Sequence, residues 1–168
     1  PETVKVGDDS HSVSDQTQGN WNGIVGEISL RNSPVTYIDD IQIYPNIEKK
    51  QALVKVVLKG KGKANIELSA KSFNSDKEHV VSPVYQTLSL EQGGSTTEII
   101  LPLGDNMLLW DEFDPALYKL QAILTSGKKR QVKEVEFGMR DFKIEGKWFY
   151  VNGRKTMLRG TVENCDFP

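Results

Sequence analysis

The sequence predicts an all-β fold, an antiparallel sandwich of about seven strands. Segments in which apolar and polar residues alternate recur between about Pro34 and Gly138, as expected for strands with one buried face. Turn-forming residues separate these segments at short intervals. No window carries a sustained apolar stripe of helical spacing, so a parallel sheet with crossover helices is not expected. This combination favours an immunoglobulin-like sandwich over a barrel.

Seven strands can be assigned in order along this region. The second alternates apolar residues from Ala52 to Leu58 with outward lysines, and the third resumes the period after residues 59–63. Because that link combines glycines for a tight reversal with lysines for solvent, these two strands are predicted to form a hairpin. Residues 105–109 have room for a single turn only. The predicted strands span residues 35–44, 52–58, 64–70, 84–90, 96–103, 117–125 and 131–137.

Tyr118 lies at the start of the sixth predicted strand and allows two interpretations. In immunoglobulin-like sandwiches a tyrosine at this point often bonds back to the backbone of the preceding connection. A half-buried aromatic residue of an ordinary strand gives the same sequence pattern. Both interpretations stay open here, and neither bears on function.

Composition and charge argue against several classes of partner. The 21 lysines and arginines are interspersed with 23 aspartates and glutamates, so no field of one sign is expected to attract nucleic acid or an anionic membrane. No apolar stretch is long enough to span a bilayer, and residues 1–6 lack signal-peptide features. Cys165 is the only cysteine, and a zinc site would need His11, His79 and distant carboxylates. Neither an internal disulfide nor a metal or other cofactor is expected.

The segments that flank the predicted sandwich differ from it in character. Residues 1–32 are rich in Asp, Ser, Gln and Gly, and residues 139–168 begin strand-like and end in a polar run. The chain opens without Met, and each flank is expected to be the cut end of a neighbouring domain. Asn152-Gly153 in the second flank is a strong signal for a two-residue hairpin turn.

Three stretches together resemble glycoside hydrolase family 2, the large retaining β-glycosidases that include β-galactosidases, β-glucuronidases and β-mannosidases. The first is the Gly- and Trp-containing segment QGNWNGIVGEISL at 18–30. The second is LWDEFDPALY at 109–118. The third is FGMRDFKI at 137–144, followed by VNGRK at 151–155 and LRG at 158–160.

The resemblance implies a domain plan and a parent activity. Residues 1–33 would end a jelly-roll sugar-binding-like domain, 34–138 would form the immunoglobulin-like domain, and 139–168 would enter a missing (β/α)8 catalytic barrel. The partners would be the jelly-roll and barrel domains of the same parent chain, with carbohydrate as the parent's substrate. The parent would hydrolyse terminal β-glycosidic bonds with retention, as β-galactosidases do, in periplasmic or secreted bacterial glycan degradation.

Catalytic groups are expected outside this chain. Retaining glycosidases need two carboxyl groups about 5–5.5 Å apart on a rigid frame. The resemblance implies that both are glutamates on later barrel strands, beyond Pro168. Glu163 and Asp166 lie three residues apart near Arg159, but no surrounding strands would fix their separation. The chain is therefore predicted to be a non-catalytic structural domain that positions its neighbours.

Further site assignments follow from the same resemblance. Arg159, Asn164 and Asp166 are expected near the substrate, at the mouth of the parent's barrel. Some family members carry a histidine at the position aligned with Asn164, so this chain departs from them at a sugar-contacting position. Trp21 and Trp110 stand at predicted domain joints and are expected to pack between domains.

Trp148, the two histidines and the basic cluster each allow more than one interpretation from sequence. Trp148 fits either a platform for a sugar ring or interdomain packing. His11 and His79 lie in polar stretches without a nucleophile pattern and are expected to face solvent. The basic cluster 128–130 is expected to solvate a turn. As a whole, the chain could instead be a free-standing carbohydrate-binding module or a cell-surface adhesion sandwich, although the barrel-entry signature argues against adhesion.

Overall fold

The computed structural model describes residues 24, 26–30 and 32–162 of a chain that divides into two units, Pro1–Asn32 and Ser33–Pro168. The described residues of the first unit form neither strand nor helix. The second unit contains ten strands and, within the described ranges, no helix. The predicted all-β fold class is confirmed.

The first seven strands lie where the alternation predicted them. Their bounds are β1 Tyr37–Asn46, β2 Gln51–Lys59, β3 Gly62–Phe73, β4 Val80–Leu90, β5 Ser95–Pro102, β6 Leu117–Ser126 and β7 Lys129–Phe137. They form two antiparallel sheets, one in the order β1-β2-β5 and the other in the order β4-β3-β6-β7. The predicted antiparallel sandwich is confirmed.

The core lies between the inner faces of these sheets and forms one apolar cluster. Alternate residues of β2 and β3 are buried, as Val54 and Leu68 show at 0% exposure. β5 and β6 contribute Leu101 and Leu120, which are also 0% exposed. Full burial of each such side chain contributes about 1.5–3 kcal/mol of hydrophobic free energy. The alternation of apolar and polar residues in the sequence thus reflects which side chains of each strand point into the core between the two sheets.

The predicted pairing of the second and third strands is wrong. β2 pairs with β1 and β5, whereas β3 pairs with β4 and β6, so the chain crosses between sheets at residues 60–61. Alternation identifies the buried face of a strand but not its hydrogen-bonding partner, and both strands bury their faces in the same core. Gly60 has a φ of 119° and lies close to Thr36. A Cβ added to Gly60 would be 2.6 Å from the Cα of Thr36. A glycine is required at position 60 because the backbone of Thr36 packs against it, and not because the chain forms a hairpin turn there.

The fourth strand sets the width of the second sheet. In the antibody constant-type sandwich, the fourth strand extends the sheet of the first, second and fifth strands. Here β4 pairs with β3 instead, with one register shift between Leu68 and Ala70. A three-stranded sheet therefore faces a four-stranded one, and the outer face of the second sheet is four strands wide.

Three short strands follow β7 and form a separate antiparallel meander. They are β8 Phe142–Glu145, β9 Trp148–Val151 and β10 Arg154–Thr156, in the order β10-β9-β8. Asn152 and Gly153 join β9 to β10 with φ values of 51° and 77°, which confirms the predicted hairpin turn. Met139, just before the meander, is 0% exposed in the sandwich core. The domain boundaries at 33 and 138 stay a prediction.

Tyr118 is a corner tyrosine, which decides between its two interpretations. Its side chain is 0% exposed, and its hydroxyl accepts a hydrogen bond of 2.8 Å from the N–H of Leu108 in the β5–β6 connection. The same hydroxyl lies 2.7 Å from Nδ1 of His79. The expectation that His79 faces solvent is wrong, because its half-buried ring is held by this contact. Burial lowers the pKa of His79.

Candidate functional site

The connection from β5 to β6 contains a tight turn at residues 110–115. The N–H of Asp111 donates to the carbonyl of Asp114 over 3.0 Å, and Oδ1 of Asp111 accepts from the N–H groups of Phe113 at 2.7 Å and Asp114 at 3.0 Å. These backbone hydrogen bonds, above all the one from Asp114, lower the pKa of the Asp111 carboxyl. The turn is held by its own bonds, so Trp110 at its start has a fixed orientation.

Trp110 is bound through its backbone on both sides. Its N–H donates to the carbonyl of Met139 over 2.9 Å, and its carbonyl accepts from Nδ2 of Asn152 over 3.0 Å. Its side chain packs against Gly138, where an added Cβ would be 3.1 Å from the Cβ of Trp110. The guanidinium of Arg140 lies 4.9 Å from the centre of the indole ring. Trp110 therefore contacts both the segment that follows the last strand of the sandwich and the meander.

Asn152 completes the connection from the meander side. Its Oδ1 accepts from the N–H of Asp141 over 2.9 Å, and its own N–H donates to the carbonyl of Asp141 over 2.8 Å. Its left-handed φ of 51° places the side chain over Asp141 and Trp110 at once. One residue thus links the start of the meander and its β9–β10 turn to the 110–115 turn. We call Trp110, residues 138–141 and Asn152 the junction.

Charged side chains border the junction. Nζ of Lys143 lies 2.8 Å from the carboxylate of Asp141 and 3.7 Å from that of Glu48. Its hydrogen bond with Asp141 is the main cause of the raised pKa of Lys143. Arg154 lies 3.6 Å from Glu112. Because these pairs are largely exposed, they contribute little to stability, and the backbone hydrogen bonds of Trp110 and Asn152 determine the geometry.

Of the predicted site residues, the structure describes Trp110 and Arg159, and their environments differ. Trp110 is half-buried and stands where the sandwich meets the meander. Arg159 is exposed in the segment 157–162, which forms no strand or helix. Trp21, Asn164 and Asp166 lie outside the described residues, as do Glu163 and His11. Within the described ranges, Trp110 is the one other predicted site residue, and no hydrogen bond or ion pair joins it to Arg159. Interdomain packing and proximity to substrate stay predictions.

Trp148 lies in a shallow groove on the meander. Its side chain is 39% exposed, and the groove of about 400 Å³ is also lined by Phe149, Met157 and Leu158. Nζ of Lys155 lies 3.1 Å from the centre of the indole ring. The ring is partly covered by a cation, so it is not the open platform that one interpretation of this residue required.

Asn152 and Arg140 are the junction residues that sequence analysis missed. The Asn-Gly pair predicts a turn, and that signal accounts for the backbone of Asn152 but not for the partners of its side chain. Arg140 follows Met139 in a motif that carries the family resemblance, but no local rule links it to Trp110. Both contacts depend on the fold of the 110–115 turn.

Within the described part of the chain, no group of three or more His, Cys, Asp or Glu side chains is placed to hold a metal ion. The same residues contain no helix with the length and apolar character needed to span a membrane.

The family model of glycosyl hydrolases family 2 matches residues 36–140, which is more than half of the chain. The chain belongs to this family. The match begins at the start of the sandwich and ends at Arg140, inside the junction. The resemblance to family 2 is thereby confirmed, and the matched range contains the second stretch, 109–118, and the first residues of the third, 137–140.

Relatives of known activity are much longer than this chain. A β-galactosidase of Oenococcus oeni is 26% identical in an alignment of 156 positions that covers 88% of this chain and 15% of that protein. A β-glucuronidase of Pongo abelii is 24% identical in an alignment of 155 positions, which again covers 88% of this chain and 22% of the relative. The chain spans less than a quarter of each of these proteins.

Solved structures show the same fold within larger enzymes. A β-glucuronidase of Parabacteroides merdae superposes with a TM-score of 0.55 at 24% identity, covering 76% of this chain and 16% of the enzyme. A family 2 member from Bacteroides cellulosilyticus gives a TM-score of 0.56 at 21% identity, over 74% of this chain and 17% of that protein. The chain thus corresponds to a small β-sandwich part of larger family 2 enzymes, in agreement with a non-catalytic domain of a glycoside hydrolase.

Proposed function

We propose that this domain is the spacer of a multi-domain family 2 glycosidase and fixes the direction in which the chain continues from the sandwich towards a catalytic barrel. The observation that carries the proposal is the backbone of Trp110, which is hydrogen bonded to Met139 on one side and to Asn152 on the other. Because Met139 is buried in the core, the meander is tied through Trp110 to the packed interior of the sandwich.

A fixed exit direction has a catalytic purpose. Rate acceleration depends on reacting groups held in a narrow range of geometries, and a misplacement of about 1 Å can cost roughly 100-fold in rate. A mobile link between domains would widen the range of positions that the barrel can take relative to a sugar-binding neighbour. The junction suppresses that motion at the C-terminal end of the sandwich. The predicted domain plan, with a jelly-roll end at 1–33 and a barrel entry at 139–168, is part of this proposal.

The experiment removes the side chain of Asn152 without disturbing its turn. Asn152→Gly keeps a residue that tolerates the φ of 51°, and it deletes the bonds to Trp110 and Asp141. Losing these bonds, which contribute about 1 kcal/mol each, speeds exchange of the Asp141 amide at least roughly tenfold. Hydrogen–deuterium exchange of the 168-residue chain measures this, with the Leu120 amide in the core expected to be unchanged.

Asn74→Gly is the matched control. Asn74 also has a left-handed backbone, at φ 59°, and its side chain donates to the carbonyl of Pro115 over 3.0 Å, on the far side of the same turn. This substitution leaves exchange at Asp141 unchanged. If both variants change Asp141 equally, or if neither does, the junction does not control the meander. In the full-length parent, Asn152→Gly lowers kcat/KM and Asn74→Gly does not.

The proposal extends to the parent's chemistry. We infer that the parent hydrolyses terminal β-glycosidic bonds with retention, in a β-galactosidase-like manner, and that both catalytic glutamates lie outside this chain. Support comes from the relatives, a β-galactosidase and a β-glucuronidase, and from the small share of their length that the chain spans. Nitrophenyl β-galactoside and β-glucuronide distinguish the two activities in the parent. Turnover of either substrate by the purified 168-residue chain would refute the non-catalytic assignment.

A further inference from the structure

We propose that the outer face of the four-stranded sheet binds a neutral oligosaccharide, in a groove that runs along β3. The groove has a volume of about 300 Å³. Its walls are side chains of β4 and β6, and its floor is the outward face of β3 between them. This surface is separate from the junction and goes beyond the proposed function.

The sheet register builds the groove from two parallel rows of side chains. In one row Glu67 on β3 lies between Tyr85 on β4 and Ile123 on β6. In the next row Asn65 lies between Thr87 and Thr125. The flanking strands are two inter-strand spacings apart, about 9–10 Å. That width admits a single chain of sugar rings lying along β3.

The chemistry of the two rows suits carbohydrate. Tyr85 is 70% exposed and, with Ile123, offers an apolar wall on each side for the C–H face of a sugar ring. The floor and the second row carry a carboxylate, an amide and hydroxyls, which hydrogen bond to sugar hydroxyls. Oγ1 of Thr87 donates to Oδ1 of Asn65 over 2.8 Å, which orients the amide with Nδ2 available as a donor. An aromatic wall with a few convergent polar groups is the usual composition of a small-molecule site.

The charge of the groove favours neutral over anionic sugars. Glu67 is the one charged residue among those that line the groove in the described chain. A uronate or sulfated sugar would bring a second negative charge next to this carboxylate, and no cation lines the groove to compensate it, which is unfavourable. Arg130, paired with Thr125, and Lys63 lie on the same sheet face but outside the lining. The groove is therefore complementary to uncharged, hydroxyl-rich chains.

The test is an NMR titration of the isotopically labelled 168-residue chain. Cellohexaose, xylohexaose and β-1,4-linked galactohexaose are added to millimolar concentration, with trigalacturonate as the charged comparison. The expected result is a set of shift changes confined to residues 65–67, 85–87 and 123–125 with at least one neutral sugar. Tyr85→Ala weakens that binding at least tenfold, and so does Glu67→Ala.

Tyr44→Ala is the matched control, because Tyr44 is an exposed tyrosine, at 51%, on the three-stranded sheet. It leaves binding unchanged. The proposal is overturned if all three neutral sugars leave the spectrum unchanged, if the shifts map to the Trp148 groove, if Tyr85→Ala has no effect, or if trigalacturonate binds equally well. None of these outcomes bears on the spacer function, which is tested by exchange at Asp141.

Discussion

The N–H of Leu108 donates to the hydroxyl of Tyr118 over 2.8 Å. This hydrogen bond connects the loop between β5 and β6 to the second residue of β6. The phenol ring of Tyr118 stacks on Phe137, with ring centres 5.4 Å apart, and meets the His79 ring edge-on at 5.7 Å. The corner therefore joins three separate parts of the chain around one buried hydroxyl. That arrangement makes Tyr118 a strong determinant of stability.

Tyr118→Phe tests the hydroxyl alone. The substitution keeps the buried ring but removes the acceptor of the Leu108 N–H and the partner of His79. An unsatisfied group left behind in a buried site costs about 1–3 kcal/mol, so we expect a loss of this size in the free energy of unfolding, measured with urea. Tyr44→Phe, at an exposed site, should change it by less than about 0.5 kcal/mol. Equal effects of both substitutions would contradict a special role for the corner.

The same corner makes stability depend on pH near neutrality. Because the Leu108 N–H donates to the phenol oxygen, the phenol proton is best directed at Nδ1 of His79, which requires a neutral imidazole ring. Burial lowers the pKa of His79 in the folded state below its value of about 6.5 in the unfolded chain. The unfolded chain therefore binds more protons between the two pKa values, and stability rises with pH across that window.

We accordingly expect the stabilisation from neutral His79 to be complete above pH 6.5 or so and to fall away as the pH is lowered through the folded-state pKa. Urea unfolding from neutral to mildly acidic pH measures the slope. His79→Gln keeps a polar partner for the phenol but removes the titration, so its slope over the same window should be smaller. A steeper slope in the variant would show that other groups dominate.

Two adjacent glycines provide a test of the contact between the β4–β5 turn and β2. Gly93 and Gly94 both have φ above 100°, which strains an alanine at either position. A Cβ on Gly94 would lie 2.1 Å from the carbonyl oxygen of Leu58, whereas a Cβ on Gly93 meets nothing within 4 Å. Gly93→Ala should cost about 1–2 kcal/mol of backbone strain. Gly94→Ala should cost at least twice as much, since backbone must move, and calorimetry of both variants compares them.

The sequence was sufficient for the strands of this fold but not for their partners. All seven sandwich strands follow from alternation, because burial of one face is a local property of each segment. Pairing depends on which sheet a strand joins, and the glycine-containing link at 59–63 therefore predicts a hairpin that the structure does not form. The strand bounds of β2 and β3 were predicted to within a few residues although their pairing was wrong.

Side-chain partners across long sequence distances were the harder part of the site. The family resemblance identified Trp110 as a joint residue, yet its partner Asn152 is 42 residues away and carries only a turn signal. His79 shows the same difficulty, since its polar surroundings in sequence predicted solvent, while its ring contacts Tyr118 39 residues away. Tyr85 is an outward residue of β4, and only the pairing of β4 with β3 places it beside Glu67.

Asp111 is the residue through which the 110–115 turn can be loosened without touching the junction itself. Its Oδ1 accepts from two backbone N–H groups, and Asp111→Ala leaves both without that partner. Asp111→Asn keeps a carbonyl oxygen at the same place, so it should retain most of the stability that the alanine variant loses. We expect a clearly lower melting temperature for Asp111→Ala than for Asp111→Asn.

The pH dependence of this pair distinguishes the ionised acceptor from the neutral one. The folded-state pKa of Asp111 is lowered, above all by the hydrogen bond from Asp114, so its contribution is present above the unfolded pKa and is lost as the pH falls through the folded value. Wild type should therefore lose more stability than Asp111→Asn on acidification below about pH 4. Parallel pH profiles for the two proteins would show that the carboxylate charge contributes nothing, and that the turn is held by acceptor geometry alone.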